Sequence, residues 1–194
     1  MLPESGSLTA HMAAHIVLMN AMAPVLALAA LRRCNRAMNF RGGPILPGAV
    51  QIALLWGWHA PPVLEGGSHV HHLMMKASLL AAATWYWFEI YRVQEEGRWR
   101  AIVSLLVTSK LFCLLGVLYV FAPRVLYPEM ISRPGAHHVA QDLADQQLAG
   151  LLMLIACPAT YILAGIWITA RWLRELDLGP EPGNAAPGAL SGAR

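Results

Sequence analysis

His11-Met12-Ala13-Ala14-His15-Ile16-Val17-Leu18-Met19-Asn20-Ala21-Met22-Ala23-Pro24 is a helix-grade apolar run with metal-ligand side chains at its front end. At 3.6 residues per turn, His11, His15, Met19 and Met22 fall within about 80° of one another and form one stripe. At about 1.5 Å rise per residue, Met22 lies about 16 Å along the axis from His11, so imidazoles at the mouth give way to thioethers in the interior. Imidazole and thioether together suit a soft monovalent ion, Cu(I), better than zinc or magnesium. The plainer reading of the two methionines is packing on an apolar helix.

Working outward, the 194 residues are 57% hydrophobic and only 13% charged, with a mean hydropathy of +0.47. A soluble domain carries about a quarter of charged residues, so the composition predicts an all-α, polytopic membrane helix bundle embedded in a lipid bilayer. The net charge of +3 does not point to nucleic acid, because the arginines flank short apolar runs and build no basic face with aromatic platforms. They read as topology signals. Cys34, Cys113 and Cys157 are scattered without CxxC spacing, which indicates no disulfide framework. Nothing positive precedes the first apolar run, and Arg32, Arg33, Arg36 and Arg41 follow it, the reverse of a cleavable signal peptide. It is predicted to stay as a membrane helix with its N-terminus outside.

Five spans are predicted. The first runs from Ala10 to Leu31, about the 20 residues a bilayer core requires, with Ser7 or Thr9 as its cap and a kink at Pro24. The second runs from Leu46 to Trp58 and stops at Pro61-Pro62. The third is headed by His69-Val70-His71-His72 and ends at Trp85-Tyr86-Trp87-Phe88. The fourth covers Trp99 to Phe121 and the fifth Leu143 to Ala170. Residues 1–176 then make a single transmembrane domain, and residues 177–194, rich in Pro, Gly and Ala, a disordered cytoplasmic tail.

The basic segments after spans one, three and five belong in the cytoplasm by the positive-inside rule. All eight histidines of the sequence then fall on the opposite side. A shared extracytoplasmic site explains that one-sidedness better than eight independent roles, with His71, His137 and His138 read as solvated.

Within that site the expected metal ligands are His11, His15, Met19, Met22, His59, His69 and His72. His69, His72 and Lys76 share a stripe of span three at i, i+3, i+7. His59 supplies a third direction or, more plainly, caps an interfacial helix. Gln146, Gly150, Met153 and Cys157 line one face of span five, where Gly150 allows close helix approach. Asp145 either orients a ligand histidine or caps helix five. Lys110 sits near the middle of span four, where an ionisable group costs at least about 2.5 kcal/mol, and is expected to face the bundle interior or a partner. No nucleophile motif, phosphate loop or dinucleotide fingerprint stands out, so no enzyme activity is expected.

His11-Met12-xx-His15-xxx-Met19 with Ala23-Pro24, Leu55-Trp56-xx-His59-x-Pro61, the histidines before span three, and Asp145-Gln146-xxx-Gly150-xx-Met153 follow in an order and spacing that resembles the multi-pass CtaG-type cytochrome c oxidase assembly factors. These share only a label with the single-span copper chaperone of the same name. Family members usually have more than five spans and place Glu-His where this chain has His71-His72. The resemblance implies a role in maturing the copper-containing oxidase of bacterial plasma (inner) membranes. The first reading is therefore an assembly factor that binds Cu(I) near the outer face and assists its delivery, with oxidase subunits and a periplasmic copper donor as partners. A haem-binding electron-transfer subunit is the second, since paired histidines on neighbouring membrane helices can ligate haem iron. A structural oxidase subunit is the third.

Overall fold

The computed structural model describes residues 7–33, 43–61, 63, 68–93, 97–128 and 139–177. His137, His138 and the predicted tail from residue 178 lie outside them. Among the described residues five long helices follow in order: α1 (Leu8–Arg33), α2 (Ile45–Trp58), α3 (His69–Arg92), α4 (Arg98–Phe121) and α5 (Val139–Asp177). Their starts follow local chemistry. Ser7 accepts from the Ala10 N–H at the head of α1, and Ser68 from the His71 N–H at the head of α3. Gly43, at φ 59°, makes the left-handed turn before Pro44 and α2.

Among the described residues, α1, α4 and the Val139–Glu175 stretch of α5 are long and apolar enough to cross a membrane, and α2 is a shorter apolar helix. The chain is a helical membrane bundle. α3 has 24 residues, about 36 Å, but carries His69, His71, His72, Lys76, Glu89 and Arg92, which lowers its apolarity. α5 is longer at each end than the predicted span: its 39 residues reach about 58 Å, well beyond a core about 30 Å thick.

The tightest seam joins α4 to α5. A Cβ on Gly150 would stand 2.7 Å from the Gly116 carbonyl oxygen and 2.8 Å from Val120, so only hydrogen fits there. This is the close approach expected of Gly150. At the other end of the same pair Arg98 binds Glu175, which Arg171 also holds at 2.9 Å. In the core, Tyr161 packs its ring 5.4 Å from both Trp87 and Phe112, and its hydroxyl accepts from Gln51 at 2.9 Å.

α1 departs from the expected kink. Between Leu8–Ile16 and Ala23–Arg33 it widens into a π-helical segment, Val17–Met22, where the Ala23 N–H reaches back to the Leu18 carbonyl. Pro24 has no N–H to give. The Met19 carbonyl is thereby left without a main-chain donor, and the buried Trp87 indole N–H supplies one at 3.2 Å. A side chain from α3 thus completes the helix that carries the histidines.

Candidate metal centre

Three elements bring imidazoles together. His11 and His15, one turn apart on α1, place their Nε2 atoms 2.9 Å from each other. His59, the residue after α2, has its ring centroid 5.3 Å from that of His15 and 5.9 Å from that of His11. One ligand nitrogen from each of His11, His15 and His59 lies within 4.8 Å of the other two. His72, on α3, stands at the rim with its ring 6.2 Å from that of His11.

The tautomer of His59 follows from its neighbours. Its Nδ1 is 2.7 Å from the Leu55 carbonyl, which can only accept, so Nδ1 carries the hydrogen and Nε2 the lone pair. That Nε2 is buried and has no partner among the described residues, as is also true of His15 Nδ1. Burial lowers the His59 imidazole to about 4, against a smaller upward pull from the Leu55 carbonyl. The ring is neutral near pH 7, with its lone pair free.

The scaffold behind these rings was not visible in the sequence. Tyr127 donates to the His59 carbonyl at 2.6 Å and is itself 2.9 Å from the Tyr119 hydroxyl. Gln146, fully buried, accepts from the Leu126 N–H at 2.7 Å and donates to the Tyr119 and Arg124 carbonyls at 3.3 Å each, which fixes the segment leading to Tyr127. Trp58 donates to Ser78 at 2.9 Å and so ties the end of α2 to α3. Tyr127 is one aromatic in a proline-rich loop, 68 residues from His59, and no local signal connects them.

Several expectations change. Met22 is 43% exposed, whereas Met19 is buried. The π segment spends more residues per turn than an α-helix, so the inward position passes from Met22 to Ala23. Met12 takes the inward role instead. With Met19, Met153 and Cys157 it lines a small cavity beneath His15, so Met153 belongs to a sulfur-rich floor under the histidines. His69 is exposed and stands apart from the cluster. His71 is less solvated than expected: its ring packs edge-on to Trp58 at 4.9 Å and its Nε2 is buried.

Asp145 orients none of the described histidines. It holds the head of α1, accepting from the Ser7 hydroxyl at 2.8 Å and the Leu8 N–H at 2.6 Å, while its carbonyl accepts from the Thr9 hydroxyl at 2.9 Å. A carboxylate at a helix N-terminus meets both the free N–H groups and the helix dipole. Lys110 does not face the bundle interior. It is exposed on α4, because Thr108, Ser109 and Phe112 occupy the inward face at that level.

Lys76 lies one turn along α3 from His72. Among the described residues the cluster joins three imidazoles and includes no carboxylate.

No curated protein and no solved structure gives a significant match to the chain. A family model does match, over residues 4–175, a range that holds all three clustered histidines, His72, Asp145 and Met153. On that match the chain belongs to the Caa3_CtaG family, the cytochrome c oxidase caa3 assembly factors.

Proposed function

We propose that the protein binds Cu(I) between His11, His15 and His59, with His72 at the rim, and assists copper delivery to cytochrome c oxidase without catalysing a reaction itself. The observation that carries this reading is the approach of three imidazole nitrogens to within 4.8 Å of one another. The charge of the surroundings favours a monovalent ion. The three clustered donors are imidazoles, Asp145 is spent on α1, and Lys76 stands one turn along α3 from His72, so a divalent ion would meet more repulsion and a larger desolvation cost in the low-dielectric interior. Met12 and Met19, which line the small cavity at His15, add soft donors.

Two groups already lean toward a shared guest. The nitrogens of His11 and His15, 2.9 Å apart, share a hydrogen that a bound metal ion would replace. His59 offers its lone pair without first breaking a hydrogen bond. Haem fits less well, since ring centroids only 4.4 Å apart for His11 and His15 and 5.3 Å apart for His15 and His59 leave no slot for a macrocycle between them.

The arginines at the ends of α1, α3 and α5 and the start of α4 support a cytoplasmic placement of that end. The histidine centre then faces outward across the bacterial inner membrane, toward a periplasmic copper donor and the oxidase subunits.

The test is a pair of substitutions, His11→Ala and His15→Ala together. The variant is expected to insert and fold yet to lose Cu(I) to a chelator that the parent resists, and to lose support for copper loading of the oxidase. Equal retention of Cu(I) by variant and parent would remove the basis of the reading.

A further inference from the structure

Val103, Val107, Lys110, Leu114, Val117 and Phe121 recur on α4 at steps of 4, 3, 4, 3 and 4 residues, and all six are exposed. At 3.6 residues per turn they lie within about 80° of one another. A repeat of 3.5 residues is the spacing of a seam that packs lengthwise against another helix. From Val103 to Phe121 the seam runs about 27 Å, close to the full thickness of a bilayer core at about 30 Å. Leu106 beside it opens onto an apolar groove of about 400 Å³ between α4 and α5, which gives bulky side chains room at the edge of the seam.

Lys110 breaks the apolar character of this face at its middle. It stands about 18 Å from Arg98 and about 17 Å from Phe121 along the axis, too far for its side chain to reach either membrane surface by bending along the helix. No hydrogen bond or ion pair to it exists among the described residues. In hydrocarbon such an ammonium needs a partner, and one polar position in a heptad seam is the usual way to set the register of two helices.

The partner is not a second copy of this chain. Two copies joined along this seam by a twofold axis parallel to the membrane normal would hold both Lys110 ammonium groups at the same depth in one interface, where like charges repel. Nor is there a carboxylate at that depth among the described residues. Glu89, Asp142, Asp145, Glu175 and Asp177 all lie within seven residues of a helix end.

We propose that the exposed seam of α4 is a docking surface for a transmembrane helix of another protein that carries an Asp or Glu near mid-membrane, and that Lys110 pairs with that carboxylate. This does not rest on the copper reading, only on the bundle being embedded in a membrane.

Synthetic transmembrane peptides of leucine and alanine, with one central Glu, Gln or Lys, test it in phosphatidylcholine vesicles holding the full-length protein. Energy transfer between labelled peptide and protein reads association. The Glu peptide is expected to associate at least about tenfold more tightly than the Gln peptide, and Lys110→Leu to abolish that preference. Lys110→Glu is expected to transfer the preference to the Lys peptide, which a folding defect would not do. Equal association of Glu and Gln peptides with the parent, or a preference that survives in Lys110→Leu, overturns the proposal. So does homodimer formation by disulfide cross-linking through Leu114→Cys.

Discussion

The two ends of the bundle are built by opposite means. At the arginine end the guanidinium groups find partners close by in sequence: Arg92 sits over Phe88 at 5.1 Å, Arg100 over Trp99 at 5.3 Å and Arg171 over Trp167 at 6.0 Å. The Arg98–Glu175 pair and the Ser104 hydroxyl, which donates to the Pro44 carbonyl, join distant residues there. At the histidine end most of the organising contacts span the chain. Asp145 reaches Ser7 across 138 residues and Tyr127 reaches His59 across 68. The outcomes differ as well. The arginine end is partly solvated, whereas the histidine end keeps His15 Nδ1 and His59 Nε2 buried without partners among the described residues. Unpaired buried nitrogens cost free energy, and the fold tolerates them where three rings can share an ion.

This contrast can be broken from its most connected point. Asp145→Ala removes the acceptors of the Ser7 hydroxyl and the Leu8 N–H at the head of α1. The expected loss is about 2 kcal/mol, the scale of a charged helix cap, together with weaker Cu(I) retention as His11 shifts. Thermal unfolding in detergent and chelator competition measure the two effects. Unchanged values in both would mean that the histidine end does not depend on its long-range clamp.

Tyr127→Phe is a smaller perturbation that sharpens the same point. It deletes one hydrogen bond to the His59 carbonyl and leaves the Tyr119 hydroxyl without its 2.9 Å neighbour. A loss of about 1 kcal/mol is expected, with Cu(I) affinity falling because the ring of His59 is no longer anchored through its own backbone. If stability drops while affinity stays constant, Tyr127 supports the bundle and not the centre.

The smallest effect belongs to the arginine end. Glu175→Gln weakens the contacts with Arg98 and Arg171, but the side chain is 35% exposed and solvent screens the pair. Its unfolding temperature is expected to move less than that of either variant above, and the difference is expected to shrink as salt is raised. A larger shift than that of Asp145→Ala would reverse the ranking of the two ends.

Lys110 and Met22 show why parts of the candidate site resisted a linear reading. Both were placed by an ideal helix repeat or by the cost of a charge in lipid. Met22 turned outward because Pro24 and the π segment change the number of residues per turn, a local event whose position depends on Trp87 from α3 being available to the freed Met19 carbonyl. Lys110 faces outward because Phe112, Thr108 and Ser109 fill the inner face of α4. The cost of the ammonium identifies it as a residue that needs a partner, yet does not say whether that partner lies inside or outside the bundle.

By itself the sequence determined the membrane bundle, the five long helices among the described residues, the meeting of His11 and His15 on one face, and the close approach at Gly150. These follow from apolar length, charge distribution and periodicity, which are properties of neighbouring residues. Only the tertiary structure decided that His59 completes the cluster while His69 stays outside it, that Asp145 serves α1, and that Met12 replaces Met22 beneath the rings. Those outcomes depend on how helices rotate and slide against one another. Sub-turn rotations decide which side chains meet, and packing and hydrogen bonds between residues far apart in the chain set those rotations.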